Sequence, residues 1–375
     1  MQSCHGCAHV VARYMARVPN LHTDGKGDSI VVNDKPLVSI IINNYNYGHF
    51  LREAIESALN QTYPHTEVIV VDDGSIDNSR EIIAEYGDRI VPVLKENGGQ
   101  ASAFNAGFAV SRGDIIIFLD ADDELFPDTV RKIVNVWRTG LSKVQYRLKI
   151  VDQYGMVQGV IPSSQMHSGN LKPILLSAGT YLYPPTSGNA FARSFLDSVL
   201  PMPENEWRIC ADGYLNLLSV LHGDIVSLNQ PLGLYRIHDS NNYFCSLDHI
   251  DVKRLVKRLR DNLLRDYQKE NLLRDYFNNC GELNRIPSDF MLRNIFHVRS
   301  RIELLCMAPD EYPFSMDTAL RLLYHALKAT FVNPWLSPLK RVTYMAYFLS
   351  MVLFPRSVAR RLAFWAWVFK RRPKS

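Results

Sequence analysis

Residues 38–73 read VSIIINNYNYGHFLREAIESALNQTYPHTEVIVVDD, and this stretch decides the fold. Val38–Ile42 and Val68–Val71 are short, apolar and rich in β-branched residues, the mark of strands buried on both faces. Between them Phe50, Leu51, Ala54, Ile55, Ala58 and Leu59 share one face of a helical period. Strand, helix, strand at this spacing predicts a parallel unit.

The pattern continues on the C-terminal side. A second helix is expected with Asn78 as N-cap, Glu81 three residues on and Gly87 after its last turn. Strands follow at Ile90–Leu94 and Ile115–Leu119, with a helix from Gln100 to Val110 and another carrying Val130, Ile133, Val134 and Trp137. The fold class is therefore α/β, a Rossmann-like, mostly parallel sheet with helices on both faces. Residues from 144 to 237 read as mixed strand and loop, and beyond Asp248 the chain becomes helical. The repeated LLRDY at Leu263 and Leu272 reads as a chance echo on long helices. The expected organisation is an extension over 1–35, an α/β domain over 36–245 and a helical region over 246–375.

With 47% hydrophobic and 21% charged residues, the chain of 375 is globular, which excludes a disordered protein. The formal charge is +4, unevenly spread. No acid follows Asp317, whereas eleven cations do, so the first 317 residues carry 31 cations against 38 acids. Six scattered cysteines without a preceding secretory signal suggest reduced thiols and a cytoplasmic setting. Cys4, His5, Cys7 and His9 have zinc-like spacing, but no second pair stands downstream; a frayed extension is the plainer reading.

Ligands of doubly wound sheets bind outside the carboxyl ends of the strands. Four polar clusters fall there: Asn43–Asn46, Asp72–Ser75, Glu96–Gln100 and Asp120–Glu124. In the last, Asp120, Asp122, Asp123 and Glu124 follow a buried strand directly, and carboxylates so crowded call for a positive partner. Held by a rigid element, they suit a hard divalent cation, although the cluster by itself reads equally as a solvated acidic turn; the EF-hand pattern is excluded by its missing Gly and Glu. Asn97-Gly98-Gly99-Gln100 would let backbone N–H groups approach an anion, and matches neither a P-loop nor a dinucleotide fingerprint. Two other classes come into view, a nucleotidyltransferase and a noncatalytic receiver-like module. The first lacks its basic Gly-rich loop after strand one, and the second would need its acid pair where Asn43-Asn44-Tyr45 stands.

Taken in order, VSIIINNYNYGHFLREAIESALNQTYPHTEVIVVDDGSIDNS, ENGGQASAFNAG and GDIIIFLDADDELFPD resemble the family 2 glycosyltransferases of the GT-A fold. The resemblance implies an inverting enzyme that moves a sugar from a nucleotide-diphosphate sugar, UDP-linked by preference, to a hydroxyl acceptor in polysaccharide, lipopolysaccharide or glycolipid synthesis. By position, Tyr45 would stack on the base, Asn43 would contact base or ribose, and Asp73 would accept from the base N3–H. Asn97 and Gln100 would join the donor site, and Asp120 would bind the ribose or orient the metal. Asp122 would hold Mn²⁺ or Mg²⁺, with Asp123 or Glu124 behind it. Asp212, in Cys210-Ala211-Asp212-Gly213-Tyr214-Leu215, would be the base; its plainer reading is a cap on a helix over Tyr214–Leu221. His238, in Tyr235-Arg236-Ile237-His238, would close on the metal or diphosphate, and Pro184–Asn189 would line the acceptor side. The family often writes arginine where this chain has Phe104, so a phosphate contact there is replaced or absent.

Residues 342–355 are uncharged but only 14 long, short of the ~20 that span a bilayer. Val358, Leu362, Trp365 and Phe369 form an apolar stripe bordered by Arg360, Arg361 and Lys370-Arg371-Arg372, a pattern suited to peripheral contact with the cytoplasmic face of an anionic membrane or, more plainly, to a packing helix with a solvated basic end. The stripe is too apolar for nucleic acid to be the expected partner.

Overall fold

The computed structural model describes residues 35–238 and 252–369; the Cys4–His9 cluster and Lys370-Arg371-Arg372 lie outside them. The expected alternation is present as β1 (Val38–Asn44), α1 (Gly48–Leu59), β2 (Thr66–Asp73), α2 (Ser79–Ala84), β3 (Val91–Lys95), α3 (Gln100–Val110) and β4 (Ile115–Asp120). A two-residue strand β5 (Glu124–Leu125), α4 (Thr129–Val136), β6 (Leu141–Asp152), β7 (Val157–Ile161) and α5 (Lys172–Ala178) follow, then β8 (Asn189–Ala192) and α6 (Arg193–Val199). The last two elements of this half are α7 (Ala211–His222) and β9 (Asp224–Ile237).

All nine strands form one sheet in the order β3-β2-β1-β4-β8-β6-β9-β5, with β7 beside β6. β1 pairs in parallel with β2 and β4, β2 with β3, and β6 with β9, while β8 is antiparallel to both its neighbours. The register sets the site. Asn43 stands opposite Asp120, Asn44 opposite Asp72, and Asp73 opposite Lys95, so the polar strand ends form one row.

Alternate residues of the central strands feed two cores. Ile40, Ile42, Val68, Val70, Ile115 and Ile117 face α1 and α4; Ile41, Ile69, Val71, Ile116 and Phe118 face α3 and α7. Three expectations need correction. β3 is not buried on both faces, because it is the sheet's outer strand, with Val91 and Leu94 exposed. Asn78 precedes α2 but its side chain makes no capping bond, and Gly87, at φ +50, starts a separate 3₁₀ turn. α7 begins at Ala211, three residues before the expected start, which puts Asp212 inside its first turn instead of at its cap.

The helical region comprises α8 (Val252–Asn279), α9 (Phe290–Arg293), α10 (Ile295–Met307), α11 (Ala319–Val332), α12 (Pro338–Leu353) and α13 (Arg356–Phe369). Both LLRDY copies lie on α8. One core, including Leu255, Leu259, Ile302, Leu322 and Phe348, joins these helices to one another. Another, with Leu217 and Val220 of α7 against Leu273 and Phe277 of α8, joins them to the sheet domain. Among the described residues no helix is long and apolar enough to cross a membrane.

Candidate active site

The ends of β1, β2 and β4, the start of α3 and the start of α7 enclose a cavity of about 680 Å³. Asn43, Tyr45, Asp73, Asn97, Gln100, Asp120, Asp122 and Asp212 all line it, so eight of the nine sequence-derived site residues meet in one place. The ninth, His238, lies behind the wall with Nε2 3.0 Å from Asp122 Oδ2.

The acidic cluster divides into two pairs. Asp120 and Asp122 face the cavity. Asp123 is buried, accepting from Ser187 Oγ at 2.6 Å and from the Arg236 amide at 3.0 Å. Glu124 accepts from Arg236 Nη2 at 2.7 Å, the same guanidinium binds Glu53, and its Nε donates to the Asp122 carbonyl at 3.1 Å. The antiparallel pairing of β5 with β9 brings Arg236 there. Sequence reasoning misses Arg236, although it stands two residues before His238; the signal for it is the surplus of acids in Asp120–Glu124.

Asp120 accepts from Asn43 Nδ2 at 2.8 Å and Gln100 Nε2 at 3.4 Å. Burial and the neighbouring Asp122 push its carboxyl up to about 7, with the Asn43 bond opposing. Burial likewise pushes Asp123 well above the ordinary range, helped by Asp122 and Asp120. Tyr47 has its phenol raised, first by burial and then by Asp122 and Asp120, and its ring stands edge-on to His238 at 5.4 Å. The pocket floor is thus rich in carboxyl groups whose full ionisation burial and mutual repulsion oppose, while Arg236 bonds Glu53 and Glu124.

The glycine turn does approach an anion, and that anion belongs to the chain. Gly98 N and Gly99 N donate to the two oxygens of Asp73 at 2.9 and 2.7 Å, and Lys95 Nζ adds a bond of 2.6 Å. Asn97 Nδ2 donates to the Asp73 carbonyl at 2.9 Å. Asp72 is turned away from the cavity into bonds from Asn44, Ser75 and Arg80. Tyr45 is 47% exposed at the rim, an open ring face, whereas Asn43 Oδ1 is buried without a partner.

Gln100 links the donor side to α7, since its Oε1 accepts from Ala211 N at 3.0 Å while its Nε2 reaches Thr186 Oγ1 at 3.4 Å. Pro185 and Thr186 line the cavity and Ser187 braces the acids, so the 184–189 segment serves two purposes. Asp212 is half-buried; burial raises its carboxyl and Lys269 draws it back. Phe104 makes no phosphate contact, since its ring is fully buried and stacked on Phe118 at 4.1 Å. Among the described residues no three His, Cys, Asp or Glu side chains converge as a metal cage.

Comparisons with known proteins bear on the same residues. The profile of the family described as Glycosyl transferase family 2 matches residues 39–174. An uncharacterized glycosyltransferase of Nostoc sp. is 35% identical over 255 residues, covering 66% of this chain and 79% of that protein. Among solved structures, S. aureus TarS 1-349 in complex with UDP-GlcNAc superimposes with a TM-score of 0.47 at 14% identity, over 90% of this chain and 93% of the other. The mannosyltransferase PcManGT from Pyrobaculum calidifontis, in complex with GDP-Man and Mn2+, does so with a TM-score of 0.45 at 15% identity, over 97% and 93%. The identity shared with the Nostoc protein over most of its length makes this chain a member of glycosyltransferase family 2.

Proposed function

We propose that this glycosyltransferase is metal-dependent and inverting, and moves a sugar from a nucleotide-diphosphate donor, UDP-linked by preference, to a hydroxyl acceptor of a cell-envelope polysaccharide, lipopolysaccharide or glycolipid. The observation that carries the reading is one cavity in which an exposed ring, Tyr45, and the acids Asp120 and Asp122 stand on the donor side and Asp212 on the other. Tyr45 stacks on the base, a contact of about 1 to 3 kcal/mol in related settings. Asn43 offers its unpartnered Oδ1 to base or ribose. Asp73 already takes three donors and keeps one of its roughly four acceptor positions for the base N3–H. Asn97 and Gln100 frame the donor pocket beside Asp120, which takes the ribose.

The residues present fit a divalent cation. Asp122 and His238 meet at 3.0 Å beside a buried excess of carboxylates, and with no cage of three such side chains among the described residues, diphosphate oxygens and water would supply the remaining ligands, the usual arrangement for Mg²⁺. Mn²⁺ or Mg²⁺ held there supplies charge stabilisation for the departing diphosphate. Asp212 takes the proton of the acceptor hydroxyl from the face opposite the leaving group.

Calorimetric titration with UDP, GDP and dTDP, with and without Mn²⁺, tests the donor side. Binding of one nucleotide that requires the metal and disappears in Asp122→Asn supports the reading; metal-independent binding unaffected by Asp122→Asn overturns the assigned metal role. Asp212→Asn is expected to retain nucleotide binding and lose transfer.

The reading places the enzyme at the cytoplasmic face of a membrane. Leu339, Val342, Ala346, Leu349 and Leu353 recur along α12 at one helical face, and all are exposed. Lys340, Arg356, Arg360 and Arg361 lie exposed beside that face in sequence, after the last acid of the chain. On α13, Val358 is exposed while Leu362 packs inward, so the surface rests more on α12 than the sequence stripe predicts; the side chains of Trp365 and Phe369 lie outside the described residues.

A further inference from the structure

Two lysines that no motif ties to Asp212 pack against α7, the helix that carries it. Lys143 of β6 is fully buried and donates to Tyr181 Oη at 2.9 Å and Asn216 Oδ1 at 2.6 Å, both neutral acceptors. Lys269 comes from α8 and lies along the first turn of α7. A Cβ on Gly213 would meet Lys269 Cε at 3.0 Å and Nζ at 3.9 Å, so the glycine after Asp212 makes room for that stem. Lys269 Nζ also donates to Tyr183 Oη at 3.4 Å and pairs with Asp266 at 3.8 Å, while the other Asp266 oxygen meets buried His297 Nδ1 at 3.0 Å.

α8 grips the loop before α7 at two further points. Gln268 donates to the Glu206 carbonyl, and Arg265 Nη1 donates to Cys210 Sγ at 3.4 Å. Cys210 is a non-glycine residue at φ +67 directly before α7, a conformation that persists when its surroundings hold it. The titratable groups close enough to Asp212 to feel its charge are Asp120 from β4, Lys143 from β6, Tyr181 and Tyr183 from the segment before β8, Tyr235 from β9 and Lys269 from α8, while Cys210 and Asp266 act on Lys269 itself. Burial drives the Lys143 amine well below its ordinary range, whereas Lys269, though burial opposes it, is held charged by Tyr183, Asp266 and Asp212.

We propose that Lys269 is a positioning residue for sugar transfer, its ammonium lying along the first turn of α7 and keeping Asp212 a carboxylate, so that a helix outside the sheet completes the catalytic site. This rests on the reading of Asp212 as acceptor base. A buried carboxylate with no cation takes up a proton, and a protonated acid cannot receive the hydroxyl proton.

The test is a double-mutant cycle on the full chain, Lys269→Met, Asp212→Asn and both together, read as thermal midpoints at about pH 8 and at about pH 5, where a carboxyl raised by burial is more protonated. At the higher pH, Lys269→Met lowers the midpoint and adding Asp212→Asn restores most of the loss, because the stranded charge is gone. At the lower pH the restoration shrinks, and Lys269→Arg stays near the parent in midpoint and rate. Additive losses at the higher pH overturn the proposal. Should Lys269→Met not fold, Lys269→Gln removes the charge while keeping a polar side chain and carries the same comparison. If Asp212→Asn still transfers sugar, the base assignment fails while the coupling itself stays measurable, so the two failures are distinguishable.

Discussion

Arg236 joins more of the site than any other single side chain. It bonds Glu53, Glu124 and the Asp122 carbonyl, its amide holds Asp123, and its guanidinium lies 4.7 Å over the Phe50 ring. Removing one partner of a buried ionic group strands the others. Arg236→Met should therefore cost about 3 kcal/mol in urea unfolding, and Arg236→Lys should recover little, since one ammonium cannot reproduce a fork of donors. Asp72 shows the opposite kind of acid to Asp120. Burial pushes it upward, but bonds from Ser75, Arg80 and Asn44 hold its carboxyl below the usual range. A group lowered on folding stabilises above the ordinary carboxylate range and loses that contribution as pH falls through the lowered value. Acid titration of stability should show a shallower fall in Asp72→Asn, which starts less stable at neutral pH; an unchanged slope would count against the assignment.

At the scale of elements, the entry to α3 is where local conformation and site geometry meet. Gly99 sits at φ +88, and an added Cβ would lie 2.4 Å from Arg208 Cγ and 2.6 Å from Arg208 O. Gln100 N bonds that same carbonyl at 2.9 Å, so the glycine lets two loops of the pocket touch. Gly87 also has positive φ, +50, but nothing lies within 4 Å of its Cβ position. Gly99→Ala should abolish nucleotide binding by calorimetry and lower the melting temperature, while Gly87→Ala should leave binding intact; equal effects would mean that backbone strain alone, without the clash, accounts for both. β9 is the other decisive element. Its long parallel pairing with β6 and its short antiparallel pairing with β5 deliver Tyr235, Arg236 and His238 to acids more than a hundred residues earlier.

At the scale of the whole molecule, charge and apolar surface are both polarised toward the C-terminal helices. The exposed stripe on α12 has Leu339 77%, Val342 64% and Leu353 67% exposed. Sedimentation with anionic vesicles is the measurement: the parent chain should co-sediment, more weakly as salt rises, and not with zwitterionic vesicles. Substituting Leu339, Val342 and Leu353 together by Glu should abolish co-sedimentation with an unchanged melting temperature, since none of the three is buried. Vesicle binding that survives this triple change would move the contact elsewhere on the molecule.

Strand and helix succession was legible in residues 38–136 because burial imposes a period on the sequence, and the family motifs marked the ends of β1, β2 and β4. Strand ends marked the polar clusters, where doubly wound sheets bind their ligands, and the family resemblance then singled out Tyr45, Asp120 and Asp122 within them. What the polar clusters do to one another was not legible. That Gly98 and Gly99 hold Asp73, that Asp123 and Glu124 serve Arg236, that Phe104 packs on Phe118, and that Lys269 lies against Gly213 beside Asp212 all depend on contacts between distant segments. Periodicity records which side of an element is buried, a property each residue carries in its own neighbourhood. Hydrogen-bond and charge partners are chosen by strand register and helix docking, and only the folded chain decides those.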